Sequence, residues 1–178
     1  MQLSSYKNSE TTDIKQLFED VFSDSEGEAE GALISNLVVD LVNSTQDQDI
    51  FGFVAKDDNK IIGSIFLTKL SFRAPIIAYI LAPVAVHTDY QGKGIGQKLI
   101  NFGIERMKDN GTELVCTYGD PNFYSKVGFQ SITEEIIKAP LKLTYPEGWL
   151  CQSLTSNEIS PISEKPHCVA ALNKSEYW

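Results

Sequence analysis

The fold of this chain is decided by the stretch Val84-Ala85-Val86-His87-Thr88-Asp89-Tyr90-Gln91-Gly92-Lys93-Gly94-Ile95-Gly96-Gln97-Lys98-Leu99. Its apolar start predicts a β-strand, its three alternate glycines predict a tight turn, and the residues after the turn predict a helix. Glycine lets the backbone approach a ligand without an intervening Cβ. The first N–H groups of a helix have no intrahelical partner and lie at the positive end of its dipole. The stretch therefore predicts a phosphate or pyrophosphate site.

The spacing of the glycines separates this turn from two familiar nucleotide-binding motifs. A dinucleotide fingerprint requires G-x-G-x-x-G, and a P-loop requires Gly-Lys-Ser/Thr at the end of a longer loop; neither pattern occurs here. The turn does match Q-x-x-G-x-G, written Gln91-Gly92-Lys93-Gly94-Ile95-Gly96. In this segment the chain resembles the GNAT superfamily of acyl-CoA-dependent N-acetyltransferases.

The resemblance implies that backbone amides of the glycine turn bind the pyrophosphate of coenzyme A. The implied cofactor-binding residues of this segment are Gln91, Gly92, Lys93, Gly94, Ile95, Gly96 and Lys98. The segment from Thr88 to Lys108 is locally basic, with four basic residues against two acidic ones. Basic charge suits an anionic cofactor, although an ordinary solvated helix face carries similar charges.

Pro83 lies inside the strand pattern that precedes the turn. Proline cannot donate to a strand ladder, so it predicts an edge strand, a bulge or an end of pairing. The resemblance implies that this strand splays from its neighbour and that the pantetheine arm pairs with it like an added strand. Val84, Ala85 and Val86 would then bind the cofactor through their backbone, and a nearby N–H group would stabilise the oxyanion.

A second motif is Gly119-Asp120-Pro121-Asn122-Phe123-Tyr124-Ser125-Lys126-Val127-Gly128-Phe129. Together with the segment at 81–87, it resembles the G-D-P-x-F/Y-Y-x-x-x-G-F and L-A-P-x-A-V-H segments of a bacterial subgroup of predicted acetyltransferases. The resemblance implies that Tyr124 is the general acid that protonates the leaving thiolate. A phenol with a pKa near 10 is protonated at neutral pH and can donate that proton. The alternative is a core tyrosine whose hydroxyl is hydrogen-bonded.

The general base is less well defined. The attacking amine must be neutral, and the subgroup resemblance points to Glu30, at the start of the second predicted helix. An acidic residue there is also typical of an ordinary first helical turn, where the helix dipole favours negative charge. A chain of solvent molecules, Asp120 and His87 are the alternatives.

Composition limits the class of protein. The 178 residues are 42% hydrophobic and 22% charged, which favours one domain over 1–178, with a cofactor-binding core at about 76–129 and C-terminal strands and tail at 130–178. A net charge of −9 argues against a nucleic-acid partner and favours an amine-bearing acceptor. The longest largely apolar run, 74–86, is too short to cross a bilayer, so we expect no membrane partner.

Cys116, Cys151 and Cys168 follow neither a disulfide framework nor a metal-binding spacing. They predict reduced thiols, with Cys116 as a small buried hydrophobic residue, and no metal site. The first residues lack the charged and apolar regions of a signal peptide. We therefore expect a cytoplasmic protein.

Hydrophobic periodicity orders the remaining elements. Amphipathic helices are predicted around 14–21, 34–41 and 96–107, and strands at 50–55, 61–72, 76–86, 114–118, 141–145 and 149–154. A short helix is predicted after Asp120, with a further strand after Gly128. This order predicts an α/β (α+β) fold, with one mixed sheet of about six to seven strands flanked by helices on both faces. It matches the order of the GNAT fold.

These observations predict an N-acetyltransferase that moves an acetyl group from acetyl-CoA to a primary amine by direct attack, without a covalent enzyme intermediate. A catalytically silent acyl-CoA sensor and a phosphate-binding protein unrelated to CoA are the alternatives, and the missing nucleotide motifs argue against the second. The acceptor, a small molecule or a peptide, is not readable from the sequence. The oligomeric state is left open, although the fold often forms homodimers.

Overall fold

The computed structural model describes residues 1–178 and contains seven β-strands and four α-helices. The strands are β1 (Gln2–Ser5), β2 (Ile50–Asp57), β3 (Lys60–Leu70), β4 (Ala78–Val86), β5 (Leu114–Tyr118), β6 (Gln130–Ser131) and β7 (Trp149–Ser153). The helices are α1 (Thr11–Glu26), α2 (Glu28–Ser44), α3 (Ile95–Asp109) and α4 (Pro121–Tyr124). Hydrogen bonds order the strands β1-β2-β3-β4-β5-β7-β6. The pair β4–β5 is parallel and the pair β5–β7 is antiparallel, so the expected mixed sheet is confirmed.

The chain divides into two compact units, of which the first comprises residues 1–67 and 83–104. In this unit α1 and α2 bury the apolar positions that their periodicity predicts, namely Ile14, Leu17, Phe18, Val21, Ile34, Leu37, Val38 and Leu41. The two helices meet closely at Gly31, where a Cβ would lie 2.6 Å from the carbonyl oxygen of Glu19. Glycine is required there because any side chain would separate the helices.

The helices of the first unit cover both faces of its strands. The ring of Phe18 on α1 packs 6.4 Å from the ring of Phe66 on β3. On α3, a Cβ at Gly103 would lie 3.0 Å from the side chain of Ile65. Since successive residues of a strand point to opposite faces, α1 and α3 lie on opposite sides of β3.

The second unit comprises residues 68–82 and 105–178, and its core is aromatic. The buried Trp149 donates its indole N–H to the carbonyl of Ile137, at 2.9 Å. Trp178 stacks on Tyr118, with 6.1 Å between ring centroids, and its indole N–H donates to Leu172. These contacts dock the C-terminal segment onto the core of the second unit.

The structure corrects the expectation for two of the three cysteines. Cys116 and Cys151 occupy directly opposed positions of β5 and β7 and form a disulfide, with 4.0 Å between their Cα atoms. The expectation of reduced thiols is wrong for this pair, because strand pairing brings together residues 35 positions apart in the sequence. Cys168 is free and half-buried.

Two strand expectations also need correction. The residues at 141–145 are irregular, and the N–H of Tyr145 donates to the Tyr118 hydroxyl, at 2.7 Å, instead of to a neighbouring strand. The edge-strand interpretation of Pro83 is wrong, because β4 lies between β3 and β5. The alternative of an end of pairing is confirmed, because the β4–β5 register stops at Leu81, two residues before Pro83. None of the helices is long and apolar enough to cross a membrane.

A largely buried ion pair holds the start of the chain in the first unit. The Lys56 ammonium donates to the Glu10 carboxylate, whose second oxygen accepts the N–H of Lys7 at 2.8 Å. Burial of Glu10 opposes its ionisation, but these hydrogen bonds and the two lysine charges outweigh burial and hold its pKa below the usual 4.5. Folding therefore favours the ionised carboxylate, so this contribution is present above pH 4.5 and is lost as pH falls through the folded pKa.

We expect Glu10→Gln to lower the free energy of unfolding at pH 7 by about 1–3 kcal/mol, because an ionic hydrogen bond is lost from a mostly buried position. Denaturant titration measures the change, and the difference from wild type should shrink as the pH falls below 4.5. Glu19→Gln is the control, since the Lys15–Glu19 pair is exposed and should contribute less than about 1 kcal/mol. Equal losses in the two variants would contradict the assignment.

Candidate active site

The glycine turn after β4 has a backbone that requires glycine. Gly92 and Gly94 have φ values of +72° and +73°, and a Cβ at either position would meet no atom within 4 Å. The left-handed conformation, rather than crowding, therefore demands glycine at both positions. Gly96 lies in the first turn of α3, where it is buried.

The turn leaves a run of backbone donors without backbone acceptors. The N–H of Gln91 donates to Thr88 and that of Lys98 donates to Gly94, but the six N–H groups at 92–97 donate to no carbonyl. We call these six N–H groups the amide cradle. They combine the unsatisfied donors of a helix start with those of a glycine turn, so the cradle suits an anion with several oxygens.

Side chains hold the turn in this shape. The Gln91 amide donates to the carbonyl of Val86, at 2.9 Å, which ties the turn to the end of β4. The Lys93 ammonium donates to the carbonyl of Asp89, at 2.9 Å, and lies 5.1 Å from the Tyr90 ring centroid. Lys98 is exposed on the first turn of α3. Gln91 and Lys93 thus act on the turn itself, a role that their spacing in the motif did not show.

The residues just after β4 are anchored to neighbouring elements. The Thr88 hydroxyl donates to the Asp24 carboxylate of α1, at 2.7 Å, and so tethers the turn to this helix. Both ring nitrogens of His87 are engaged: Nδ1 accepts the Asp89 N–H at 3.3 Å, and Nε2 lies 3.2 Å from the Lys60 ammonium. These contacts leave His87 poorly placed to act as a general base.

The half of β4 that bears Val84, Ala85 and Val86 lies beyond its pairing with β5, which covers only Ala78–Leu81. On the opposite side the strand stays attached to β3, because the N–H of His87 donates to Ile62. The first unit therefore brings this half-strand and the amide cradle together in one continuous segment. Glu30 also lies in the first unit.

Glu30 occupies the first turn of α2 and is half-buried. Its burial and the neighbouring charge of Glu26 raise its pKa above the usual 4.5. A raised pKa makes a carboxylate a better proton acceptor, and the position is also that of an ordinary acidic first turn. The candidate base stays a prediction.

Tyr124 belongs to the second unit, and the defining residues of its motif fix the segment that carries it. Asp120 caps α4 by accepting the N–H of Asn122, at 2.9 Å, and Pro121 begins the helix, as expected. Gly128 ends the segment with φ +91°, and the Phe129 ring packs edge-on to Tyr124 at 5.7 Å. A Cβ at Gly119 would lie 2.6 Å from the Tyr124 ring, so this glycine makes room for the phenol.

The environment of Tyr124 keeps its hydroxyl protonated. Burial raises its pKa to about 12, the charge of Asp120 adds to the increase, and a hydrogen bond with Thr117 opposes it. Gly119 thus makes room for the candidate acid, and Thr117 favours its ionised form, although sequence reasoning assigned these two residues no role. Gly119 could have been found as the first glycine of the motif, whereas the hydroxyl of Thr117 carried no signal within an apolar strand.

Comparison with known proteins agrees with this geometry. Residues 48–131 match the family model described as acetyltransferase (GNAT) domain. The chain is similar to the uncharacterized N-acetyltransferase YjhQ of Escherichia coli, with 28% identity over 71% of this chain and 73% of that protein. It is also similar to the uncharacterized N-acetyltransferase YhbS of Escherichia coli, with 32% identity over 44% of this chain and 48% of that protein.

Solved structures support the same fold. The structure of Escherichia coli YhbS in complex with CoA has a TM-score of 0.82 and 21% identity, covering 98% of this chain and 92% of that one. A Brucella melitensis GNAT family acetyltransferase in complex with acetyl-CoA has a TM-score of 0.70 and 20% identity, covering 96% and 97%.

Fold and sequence together support an N-acetyltransferase. Residues 48–131 match the GNAT acetyltransferase domain that the glycine turn resembles. The narrower resemblance to a bacterial subgroup stays a prediction. No group of three or more His, Cys, Asp or Glu side chains is arranged to hold a metal ion.

Because folding raises the pKa of Tyr124 above the usual 10, the protonated phenol stabilises the fold below pH 10, and this contribution is lost as pH rises through about 12.

We expect Asp120→Asn to lower the pKa of Tyr124, because asparagine can still cap α4 but carries no charge. A ¹³Cζ-tyrosine NMR titration measures the shift, with Tyr124→Phe identifying the resonance. Asp58→Asn, in the β2–β3 turn, is the control and should leave it unchanged. An unmoved pKa in Asp120→Asn would contradict the role of this charge.

Proposed function

We propose that this protein transfers the acetyl group of acetyl-CoA to a primary amine by direct attack of the amine on the thioester. The observation that carries the proposal is the amide cradle, which directly follows a half-strand free of pairing with β5. The amide cradle suits a pyrophosphate, and the half-strand suits an extended amide-bearing chain. Coenzyme A contains both groups in sequence.

Donor binding begins at the cradle. The backbone amides of the turn, with Gly92, Gly94 and Gly96 keeping the approach open, bind the pyrophosphate oxygens. Ile95 contributes its N–H and buries its side chain, which anchors the start of α3. Lys98 adds positive charge, while Gln91 and Lys93 keep the turn in shape through Val86 and Asp89.

The pantetheine arm pairs with the backbone of Val84–Val86 as an added strand. Such pairing supplies main-chain hydrogen bonds without demanding particular side chains. A backbone N–H of this half-strand also donates to the thioester oxygen. That hydrogen bond strengthens as the oxygen becomes negative in the tetrahedral intermediate, which lowers the barrier.

Proton transfer completes the reaction. Glu30 accepts the proton that the amine loses, and its raised pKa favours this role; Asp120 or a solvent chain is the alternative route. As the carbon–sulfur bond breaks, Tyr124 donates its hydroxyl proton to the leaving thiolate. The phenol holds that proton at neutral pH because its pKa is about 12.

A catalytically silent acyl-CoA sensor is not favoured, because the relatives are named N-acetyltransferases. The acceptor class is a small-molecule or peptide amine, and a screen of primary amines with released CoA thiol as the readout identifies it. We further propose a single functional domain over 1–178, a cytoplasmic location and a homodimer; cell fractionation and light scattering measure the last two.

We expect Gly94→Val to weaken acetyl-CoA binding by about tenfold or more, because valine disfavours φ near +73° and the cradle loses its shape. Isothermal titration calorimetry measures the dissociation constant. Gly111→Val is the matched control, since Gly111 ends α3 with φ +78° and has similar open space around it. Unchanged affinity in Gly94→Val would contradict the cofactor assignment.

We expect Tyr124→Phe to lower kcat by about 100-fold and to leave the KM for acetyl-CoA nearly unchanged, because only the proton donor is removed. Steady-state release of CoA thiol with an amine from the screen measures both constants. The exposed Tyr145 provides a control, since Tyr145→Phe should behave as wild type. Undiminished turnover in Tyr124→Phe would remove Tyr124 from the mechanism.

A further inference from the structure

The segment 119–129, which carries Tyr124, is attached to the sheet at both of its ends. It leaves the sheet at the end of β5 and returns to it at β6. In the sheet, β7 lies between these two strands. The segment, which we call the tyrosine segment, therefore begins on one side of β7 and ends on the other.

The strand β7 and the residue before it contact both ends of the tyrosine segment. At its start, the N–H of Gly119 donates to the carbonyl of Gly148, at 2.9 Å. At its end, a Cβ at Gly128 would lie 2.6 Å from Nε2 of Gln152, so this side chain packs directly on the glycine. The position of β7 thus fixes the position of the tyrosine segment.

The disulfide lies at the centre of this arrangement. Cys116 of β5 is directly opposite Cys151 of β7, and Cys151 is opposite Gln130 of β6 on its other side. Both cysteines are fully buried. The covalent bond therefore joins the strand that leads into the tyrosine segment to the strand that contacts both of its ends.

Reduction of this bond would change the spacing of the two strands. Two thiols cannot approach each other as closely as two bonded sulfur atoms, and the interior around them is close-packed, so β7 must move relative to β5. The contacts of Gly148 and Gln152 pass this movement to the tyrosine segment. Because a small misplacement of a reacting group lowers the rate steeply, the proposed acid depends on the oxidised pair.

The proposed location gives the pair a second meaning. Thiols are kept reduced in the cytoplasm, and a disulfide that does form there is usually transient and either catalytic or redox-sensing. Burial of both sulfur atoms argues against a catalytic disulfide, which must meet its substrate. A redox-sensing pair fits both the burial and the contacts of β7.

We propose that the Cys116–Cys151 pair is a redox switch: the disulfide holds the tyrosine segment in its active position, and reduction by a dithiol releases the segment. The inference rests on the proposed acid role of Tyr124 and on the proposed cytoplasmic location. The sulfur–sulfur bond breaks, and the dithiol supplies two electrons and two protons as it becomes a disulfide itself. A small-molecule or protein disulfide reverses the reaction by accepting them again.

The switch is slow, because a thiolate must reach a buried sulfur atom. Access from the β6 side requires the least opening, since β6 is a strand of only two exposed residues, Gln130–Ser131, at the edge of the sheet.

The test compares the oxidised and dithiothreitol-reduced forms of Cys168→Ser, which removes the free thiol. We expect reduction to lower kcat about tenfold. The KM for acetyl-CoA should stay unchanged, because the amide cradle and the half-strand belong to the first unit. The pKa of Tyr124, followed by ¹³Cζ-tyrosine NMR, should fall from about 12 towards the usual 10, because burial is the main cause of its increase.

The matched control is Cys116→Ala/Cys151→Ala in the same background, which lacks the bond. Its kcat should be low and should not respond to dithiothreitol. If this variant does not fold, a titration of Cys168→Ser in glutathione buffers replaces it. The kcat should then follow the fraction of disulfide, measured by mass spectrometry after unfolding and alkylation.

Several outcomes would overturn the inference. Equal kcat and equal Tyr124 pKa in the two redox forms, or loss of the far-UV circular dichroism on reduction, would assign the disulfide to stability alone. Alkylation of both cysteines after incubation with glutathione disulfide would show that the bond does not form. A Tyr124→Phe variant with wild-type kcat would overturn the acid role itself, whereas a slow Tyr124→Phe beside a kcat insensitive to reduction would overturn the switch alone.

Discussion

The candidate active site depends on the amide cradle, whose six consecutive backbone N–H groups have no carbonyl partner. An N–H group without a partner costs free energy unless water or a ligand accepts its hydrogen bond. The neighbouring residues must therefore hold the turn in a shape that keeps these groups accessible. Positive φ at Gly92 and Gly94 sets the path of the backbone. The tethers Gln91 to Val86 and Thr88 to Asp24 then fix the turn to β4 and α1.

The second constraint is the end of pairing between β4 and β5. A parallel pair that continued past Leu81 would occupy the edge of β4 that we propose as the site of the pantetheine arm. The buried hydroxyl of Thr117 satisfies the Leu81 carbonyl at the last pair, so the ladder ends without an unpaired acceptor at that point. The same strand then leads through Gly119 to Asp120 and the capped helix that carries Tyr124.

Local signals were sufficient for much of the fold and of the candidate site. The glycine turn, the amphipathic faces of α1 and α2, and the Asp120-Pro121 helix start each depend on a few adjacent residues, and the structure contains all of them. The strand expected at 141–145 is absent, because a short apolar run does not reveal whether a partner strand is available. The cysteine spacing did not predict the disulfide for a related reason, since spacing along the sequence does not show which strands pair in space.

By itself the sequence predicted the glycine turn and the capped tyrosine segment, because both follow from backbone conformation and capping over short distances, and the motifs in these two segments carried the resemblance to the GNAT acetyltransferases. Only the tertiary structure decided which side chains act on the glycine turn and the strand before it: Gln91 on Val86 and Asp24 on Thr88. Residues 24 and 88 become neighbours through the packing of α1 against the end of β4. A hydrogen bond between such residues depends on positions in space that no local pattern encodes.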